Sequence, residues 1–405
     1  MKGAYLQAEL EEEIFMRQPE GFKDPRFPNF VWLLLRALYG LKQAGRAWWK
    51  TLRKWLFSLD FKPLNSEATA YIRFRQGKVI IILWHVDDGL CASTPGHMDD
   101  FIKEISGGPW TITDLGEPSH LLGCKITRNR ENGTIKLSMH SYIHNIISRF
   151  GFQNLTSIGS PLDPNIKISR RSSDSPDPSM SNIPYAEAIG SINWAAEACR
   201  PDIAFARTKL AQYIQNPSWE HWSQVIRVFR YLSGTAEIGI VFRRDGTGLR
   251  SYSDSDWAQD LDDRKSITGF LLVVAGAPIS WKSRKQRNVS LSSMEAEYNA
   301  TMEAAREILW TRKILLFLSN FLPMTISTTP HFTDSLTSIS FIKNDVEHDR
   351  TKHIDTHFHF LRDQVESKAI SVHHIPGLEN PADILTKALS PAVHRRAMDL
   401  LGLVA

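Results

Sequence analysis

Cysteine is nearly absent from this chain. Three occur in 405 residues, Cys91, Cys124 and Cys199, and their spacing makes neither a metal-ligand set nor a disulfide framework, which fits a reducing intracellular compartment. They read as packed thiols. No stretch reaches the roughly 18 consecutive apolar residues of a membrane span, and the start, Met1-Lys-Gly-Ala-Tyr-Leu-Gln7, lacks the apolar core of a signal peptide. The expectation is a soluble, intracellular protein with no membrane partner. Charge of one sign is also scarce: a net charge of +4 allows a polyanionic partner without demanding one. No internal repeat is visible. What is present is 42% hydrophobic and 10% aromatic residues, enough to build two or three folded domains with real cores.

Helical periodicity first becomes clear at 41–59, where Leu41, Ala44, Trp48, Leu52, Trp55 and Leu59 recur at three- and four-residue steps. Lys42, Arg46, Lys50, Arg53 and Lys54 fall largely elsewhere, so one face is core and another cationic, either solvated or facing nucleic acid. The run Lys78 to Ala92 is a buried-strand pattern interrupted by Asp87-Asp88-Gly89; it predicts a hairpin with carboxylates at its tip. Residues 141–152 predict a short helix, and 169–184, polar with three prolines, predict a flexible linker. Three helices are expected over 185–200, 201–214 and 219–232. Beyond Gly234 the pattern turns to strands: 238–243, 248–254, and the pair 269–275 and 278–282 around Gly276-Ala277.

Four acidic residues of the last third carry the chemistry. Asp254 ends an apolar-polar strand pattern, Glu297 lies in a helix, Asp334 ends a second strand, and Asp383 opens another helix. Carboxylates gathered at one point raise each other's pKa, a conflict that divalent cations remove. Two ions about 3.5–4 Å apart clamp the attacking and leaving oxygens of a phosphodiester. Each acid has an ordinary alternative. Ser292-Ser-Met-Glu295 matches a capping box, which gives Glu295 a structural role and leaves Glu297 as the ligand candidate. Asp334 and Asp383 also suit helix caps or helix-dipole positions. Asp256 competes with Asp254, and a two-residue step allows both to line the site; Asp254 is retained. His353, His357 and His359 include a helical zinc-type spacing, but no glutamate follows the first histidine, which excludes the metalloprotease pattern.

Together these acids and their contexts resemble ribonuclease H over about residues 248–390. Ser253-Asp-Ser-Asp-Trp257, Arg264-Lys-Ser-Ile-Thr-Gly-Phe270, Leu291-Ser-Ser-Met-Glu-Ala-Glu-Tyr298 and Ala382-Asp-Ile-Leu-Thr-Lys387 narrow the resemblance to copia-type LTR retrotransposon Pol polyproteins. The N-terminal half agrees: Glu13-Ile-Phe-Met-Arg-Gln-Pro-Glu-Gly-Phe22, Leu38-Tyr-Gly-Leu-Lys-Gln-Ala44, Trp84-His-Val-Asp-Asp88 and Leu121-Leu-Gly-Cys-Lys-Ile126 resemble the reverse transcriptase of that family. The resemblance implies an α/β (α+β) protein. A reverse transcriptase palm remnant over 1–135 would be followed by a helical thumb or connection over 136–235. A ribonuclease H-like mixed five-stranded sheet with flanking helices would occupy 236–390, and a tail 391–405.

The resemblance further implies that Asp254, Glu297, Asp334 and Asp383 hold two Mg2+ (or Mn2+) ions, with Asp254 bridging them, to cut the RNA strand of an RNA–DNA hybrid. Asp87 and Asp88 become polymerase metal acids. Gly40, Lys42, Gln43 and Arg46 become contacts to nucleotide and template. Implied partners are the hybrid, an RNA template with its DNA primer, and longer Pol chains.

Four departures stand out. His85 replaces the usual tyrosine and Gly45 a usual proline, and the family's first polymerase aspartate falls before Met1, so polymerase activity is expected to be absent. The loop before Asp383, where related ribonucleases carry a mobile histidine, has Leu378 instead; His373 or His374 substitutes, or that help is missing. A non-catalytic nucleic-acid-binding remnant is the competing expectation. An integrase is disfavoured because its zinc module is absent.

Overall fold

A computed structural model describes residues 1–64, 67–173, 175–343 and 355–405, without side chains over 355–359. Contacts divide the chain into two compact units, Met1–Pro118 with Lys313–Thr325, and Ser119–Arg312 with Ile326–Ala405.

The first unit opens with a two-stranded antiparallel ribbon, β1 (Glu9–Arg17) and β2 (Val31–Arg36). Helix α1 (Ala44–Ser58) follows and buries Ala44, Trp48, Leu52 and Leu56, the four-residue stripe expected from its sequence. An antiparallel sheet then runs in the order β3 (Lys62–Leu64), β4 (Glu67–Arg75), β5 (Lys78–His85), β6 (Asp88–Ser93), with α2 (Met98–Ser106) after it. One core joins Tyr71, Ile80, Ile82 and Trp84 to Trp48, Leu52, Leu56 and Phe101. A second joins Leu64, Ala70, Ile72 and Val79 to Ile314, Phe317, Leu318, Phe321 and Leu322. Both faces of the sheet are therefore covered, which is why β5 is a continuous apolar run rather than an alternating one.

The second unit starts with β7 (His120–Leu121), β8 (Cys124–Asn129) and β9 (Thr134–Ser138). Helices α3 (His140–Arg149), α4 (Tyr185–Ala198), α5 (Ala204–Ala211) and α6 (Trp219–Gly234) follow. After β10 (Gly239–Arg243) come β11 (Arg250–Ser255), β12 (Ile267–Val274), β13 (Ala277–Lys285) and the long helix α7 (Ser293–Leu318). Strand β14 (Thr329–Thr333), helices α8 (Leu336–Lys343) and α9 (Asp355–Glu366), β15 (Ile370–His374), α10 (Pro391–Leu400) and β16 (Leu403–Val404) complete it. One sheet has the order β13-β12-β11-β14-β15. Its first three strands are antiparallel, while β14 and β15 run parallel to β11. This is the ribonuclease H-like mixed sheet that the resemblance implied. A second sheet, β16-β10-β9-β8-β7, ties residues 120–138 to residues 239–243 and 403–404.

That second sheet puts the unit boundary after Pro118, where the sequence reading drew it after 135. The helices of 136–235 also do not stand apart. Ile192, Ala196, Leu210, Val228 and Phe229 share one core with Leu271, Ala277, Ile384 and Leu385. Polar contacts reinforce it: Trp281 Nε1 donates to Ala196 O at 2.8 Å, and Thr208 Oγ1 to Ser283 O at 2.7 Å. Residues 391–405, read as a tail, form α10 and β16, with Met398, Leu401 and Leu403 in that core.

The stretch read as a flexible linker is tethered among its described residues. His221 Nε2 lies 2.9 Å from Ser169 O, Arg170 N donates to Asp262 Oδ1 at 2.8 Å, and Met180 is buried. The β12–β13 turn is Ala275-Gly276, one residue earlier than read. Both residues have positive φ (53° and 73°), as a two-residue hairpin turn of the primed type requires.

Beneath these helices Arg200 and Asp202 form a fully buried ion pair. The guanidinium donates to both carboxylate oxygens at 2.8 and 2.6 Å and to Thr235 O at 2.9 Å. Tyr231 Oη donates to Asp202 Oδ2 at 2.6 Å, and His394 Nε2 lies 3.1 Å from Asp202 O. Among the described residues no helix is long and apolar enough to cross a membrane.

Candidate active site

Asp254 is the penultimate residue of β11, the central strand, and only 1% of it is exposed. Glu297 projects from the first turns of α7. Its Oε1 accepts from Ser255 N at 3.0 Å and from Ser255 Oγ at 2.9 Å, so the backbone at the end of β11 holds it in place. Asp334 directly follows β14. Carboxylate oxygens of Asp254, Glu297 and Asp334 all lie within 4.8 Å of one another.

The ordinary alternatives resolve by geometry. Glu295 is held at the start of α7: its N–H donates to Ser292 Oγ at 3.1 Å, and its carboxylate accepts from Leu291 N at 2.8 Å. The start of α8 is capped by Ser335, whose Oγ accepts from Ser338 N at 3.1 Å, and not by Asp334. Asp256 turns away from the trio. Its carboxylate accepts from Ile267 N, and burial pushes its pKa up to about 6.

Asp383 stands differently from the other three. It sits in the 3-10 turn Pro381–Leu385 and outside the trio's mutual reach. Lys387 joins it to the cluster, with Nζ 3.1 Å from Asp383 Oδ1 and 3.1 Å from Asp254. Thr386 Oγ1 also donates to Asp254 Oδ2. Asn380 anchors the turn: Nδ2 donates to Ser253 O at 2.9 Å and Oδ1 accepts from Ala382 N at 3.1 Å. Sequence reasoning missed Asn380, Thr386 and Lys387. The one local signal was Lys387 standing four residues after an acid, a spacing at which side chains meet on a helix.

The turn comes this close because Gly269, paired with Asp254 across β12, has no side chain. A Cβ there would lie 2.6 Å from Thr386 Cγ2, 2.8 Å from Leu385 Cβ and 3.2 Å from Ala382 O. Gly269→Ala is therefore expected to push residues 382–387 off the strand, costing about 1–3 kcal/mol. The check is a lower urea midpoint together with loss of the cleavage proposed below. An unchanged midpoint would show that the turn yields freely.

Burial pushes the Asp254 carboxyl well above its usual range, with Asp383 and Glu297 adding to the effect and Lys387 opposing it. Glu297 is pushed up to about 7 by burial first and the Asp334 charge second, against the hydrogen bonds from Ser255. Between its ordinary 4.5 and about 7 the folded chain keeps a proton that the unfolded chain has lost. Ion-free stability is therefore expected to fall as pH rises through that window, by up to about 1.4 kcal/mol per pH unit. Urea denaturation in chelator at about pH 5 and about pH 7.5 checks it, and Mg2+ is expected to reverse the loss.

Buried oxygen donors that cannot all ionise alone suit a hard divalent cation such as Mg2+ or Mn2+. Asp254, Glu297 and Asp334 fit one such ion. Below them His331 is held neutral by burial, which pushes its pKa down to about 3, and it bridges Ser251 Oγ and Ser253 Oγ at 3.2 and 3.1 Å. The loop before Asp383 passes beside Asp334: a Cβ on Gly377 would meet Asp334 Oδ2 at 3.2 Å. Leu378 in that loop is exposed, and so are His373 and His374 at the end of β15. His373 packs against Phe332, with ring centroids 5.6 Å apart. His353, His357 and His359 lie outside the described residues and side chains.

In the first unit Asp87 and Asp88 stand at the tip of the β5–β6 hairpin, as expected. His85 pairs with Asp88, so Val86-Asp87 forms the turn. Val86 has φ 53°, a strained conformation for a β-branched residue. Two indoles hold it: Trp48 Nε1 and Trp84 Nε1 donate to Val86 O at 2.6 and 2.9 Å. Among the described residues the two aspartates belong to no group of three metal-ligating side chains. Gly40 (φ 96°), Lys42, Gln43 and Arg46 line the entrance and first turn of α1, with Gln43 half-buried and the others exposed. Farther along, Lys50 pairs with Glu11 at 2.7 Å, and the Arg53 guanidinium lies 5.0 Å from the rings of both Trp49 and Phe57.

A mixed sheet of this order, with acids at the end of its central strand, has a ribonuclease H-like fold. Residues 1–164 match the family model described as reverse transcriptase (RNA-dependent DNA polymerase). Across its whole length the chain is 35% identical to the retrovirus-related Pol polyprotein from transposon TNT 1-94 of Nicotiana tabacum. Over 99% of its length it is 34% identical to that of transposon RE1 of Arabidopsis thaliana. It spans 30% and 27% of those two relatives. A putative transposon Ty5-1 protein of Saccharomyces cerevisiae is 30% identical over 75% of this chain and 98% of its own length. The crystal structure of LC11-RNase H1 in complex with RNA/DNA hybrid aligns with 34% of this chain and 93% of its own, at 15% identity and a TM-score of 0.25. The chain belongs to the copia-type retrotransposon Pol family.

Proposed function

We propose that this chain hydrolyses the RNA strand of RNA–DNA hybrids at the site built by Asp254, Glu297, Asp334 and Asp383. The observation that carries the reading is the convergence of three carboxylates within 4.8 Å at the end of the central strand, with Asp383 held to Asp254 through Lys387. Divalent ions bound there supply Lewis acidity, lowering the pKa of an attacking water and offsetting charge on the phosphodiester.

The chain's own groups do the positioning. Ser255 fixes one Glu297 oxygen through two hydrogen bonds, and Thr333 Oγ1 lies 3.5 Å from the other. Asn380 fixes the turn bearing Asp383, and Thr386 orients Asp254. Their burial excludes bulk water and strengthens each electrostatic contact. Selection of RNA over DNA rests on 2′-hydroxyl contacts in the minor groove.

The reverse transcriptase segment contributes nucleic-acid binding through Gly40, Lys42, Gln43 and Arg46. Turnover is assigned to the Asp254 site, where three carboxylates converge. An RNA–DNA hybrid labelled on the RNA strand tests the reading, incubated with chain purified free of host ribonuclease. Mg2+-dependent RNA fragments, without cleavage of duplex DNA, are expected. Salt-sensitive hybrid binding with no cleavage in Mg2+ or Mn2+ would replace the reading with a purely binding remnant.

A further inference from the structure

Lys387 is a cation already inside the carboxylate cluster. Its Nζ lies 3.1 Å from an Asp254 oxygen and 3.1 Å from Asp383 Oδ1. It is not a surface side chain that happens to reach inward. Lys387 N and Thr386 N both donate to Asp383 O, at 3.0 and 3.1 Å, which folds the backbone after the 3-10 turn back over Asp383. Thr386 Oγ1 meets the same Asp254 carboxylate. The stem of Lys387 is therefore aimed from a fixed base.

The cluster is also unequal. Asp254, Glu297 and Asp334 share one point, and Asp383 lies outside it. The ammonium lies 3.1 Å from both Asp254 oxygens and bridges them to Asp383, and among the described residues it pairs with neither Glu297 nor Asp334. An ammonium at about 3 Å and a divalent ion at about 2.0–2.1 Å draw on the same oxygen lone pairs, so both cannot bridge Asp254 and Asp383 at once. Lys387 can leave, because 31% of its side chain is exposed, against 1% for Asp254.

We propose that Lys387 is a tethered counter-ion that makes ion loading sequential. A first divalent ion binds at Asp254, Glu297 and Asp334, and a second binds at Asp254 and Asp383 only when the ammonium withdraws toward solvent. Lys387 is thus a positioning residue, acting through the carboxylates it holds. It sets the affinity of the second ion and keeps Asp383 against Asp254 until that ion arrives. The inference rests on the ribonuclease reading for the ions themselves.

Mn2+ titration of the full chain, followed by calorimetry and by the electron paramagnetic resonance of unbound Mn2+, tests it without any turnover. The wild type is expected to bind one ion more tightly than a second. Lys387→Gln is expected to tighten the second ion by about ten- to a hundredfold, the strength of the charge-assisted bonds removed, and to leave the first within a few fold. Lys387→Arg, which keeps the charge, is expected to keep the wild-type pattern. Its titration serves as the folded reference if the glutamine variant melts early without ions.

A second-ion affinity unchanged in Lys387→Gln, or two equal ions in the wild type, overturns the counter-ion role while the ribonuclease reading stands. No ion bound by wild type, or a first ion that survives in Asp254→Asn, overturns the ribonuclease reading and the inference with it.

Discussion

Asp254→Asn is expected to slow Mg2+-dependent cleavage of the RNA strand by about a thousandfold or more. The substitution keeps the shape of the side chain and an oxygen able to accept from Thr386, but removes the charge that any ion at the site must share. The same change is expected to leave ion-free stability at neutral pH unchanged or raised. Asp254 is buried, and burial disfavours its ionised form, so a neutral amide relieves the desolvation cost of that charge. Lower activity with undiminished stability is a pairing that a merely structural aspartate does not produce. Glu295→Gln is the internal control, because Glu295 serves the start of α7. It is expected to cost under about 1 kcal/mol and to leave cleavage within a few fold. Cleavage retained in Asp254→Asn and lost in Glu295→Gln would reverse the assignment of the two acids.

The second large effect is on folding. Asp202→Ala leaves the Arg200 guanidinium 0% exposed and without its carboxylate, and is expected to cost about 3–5 kcal/mol. Tyr231 loses the carboxylate oxygen it donates to, so the damage reaches α6, while His394 keeps its contact to the backbone carbonyl of residue 202. Replacing both members of the pair, as Arg200→Met with Asp202→Leu, is expected to recover much of the loss, since no uncompensated charge then remains in the core. Urea midpoints of the single and double variants decide it. A single variant within about 0.5 kcal/mol of wild type would mean that water reaches the pair.

The local parts of this fold were open to reading from the chain alone, and the assembly was not. Strand β5 and its acidic tip, the stripe of α1, and the capping position of Glu295 all rest on residues within a few positions of each other. Periodicity and capping chemistry report on that scale. The bond from Asn380 to Ser253 O spans 127 residues, and nothing near either residue announces it. Gly269 sits within a string whose likeness to the family was evident, yet its physical reason, the near contact with Thr386 and Leu385, exists only once the turn has docked. Lys387 ends the same string as Asp383, but a lysine beside acids usually marks a solvated face. The second compact unit begins at Ser119 and not after residue 135 for a related reason: β9 has a partner in β10, about a hundred residues later.

Strand β16 pairs with β10, and β10 pairs with β9, so this sheet is finished only by residues 403 and 404. During synthesis, residues 120–138 emerge long before the last strand that completes their sheet. Until then β10 carries an open edge, and the apolar side chains that Leu401 and Leu403 would cover remain in water. Contacts of such long sequence separation form slowly. The second unit therefore matures only after residues 403 and 404 have left the ribosome, and the interval before that is when a nascent chain is most exposed to chaperones and to its neighbours.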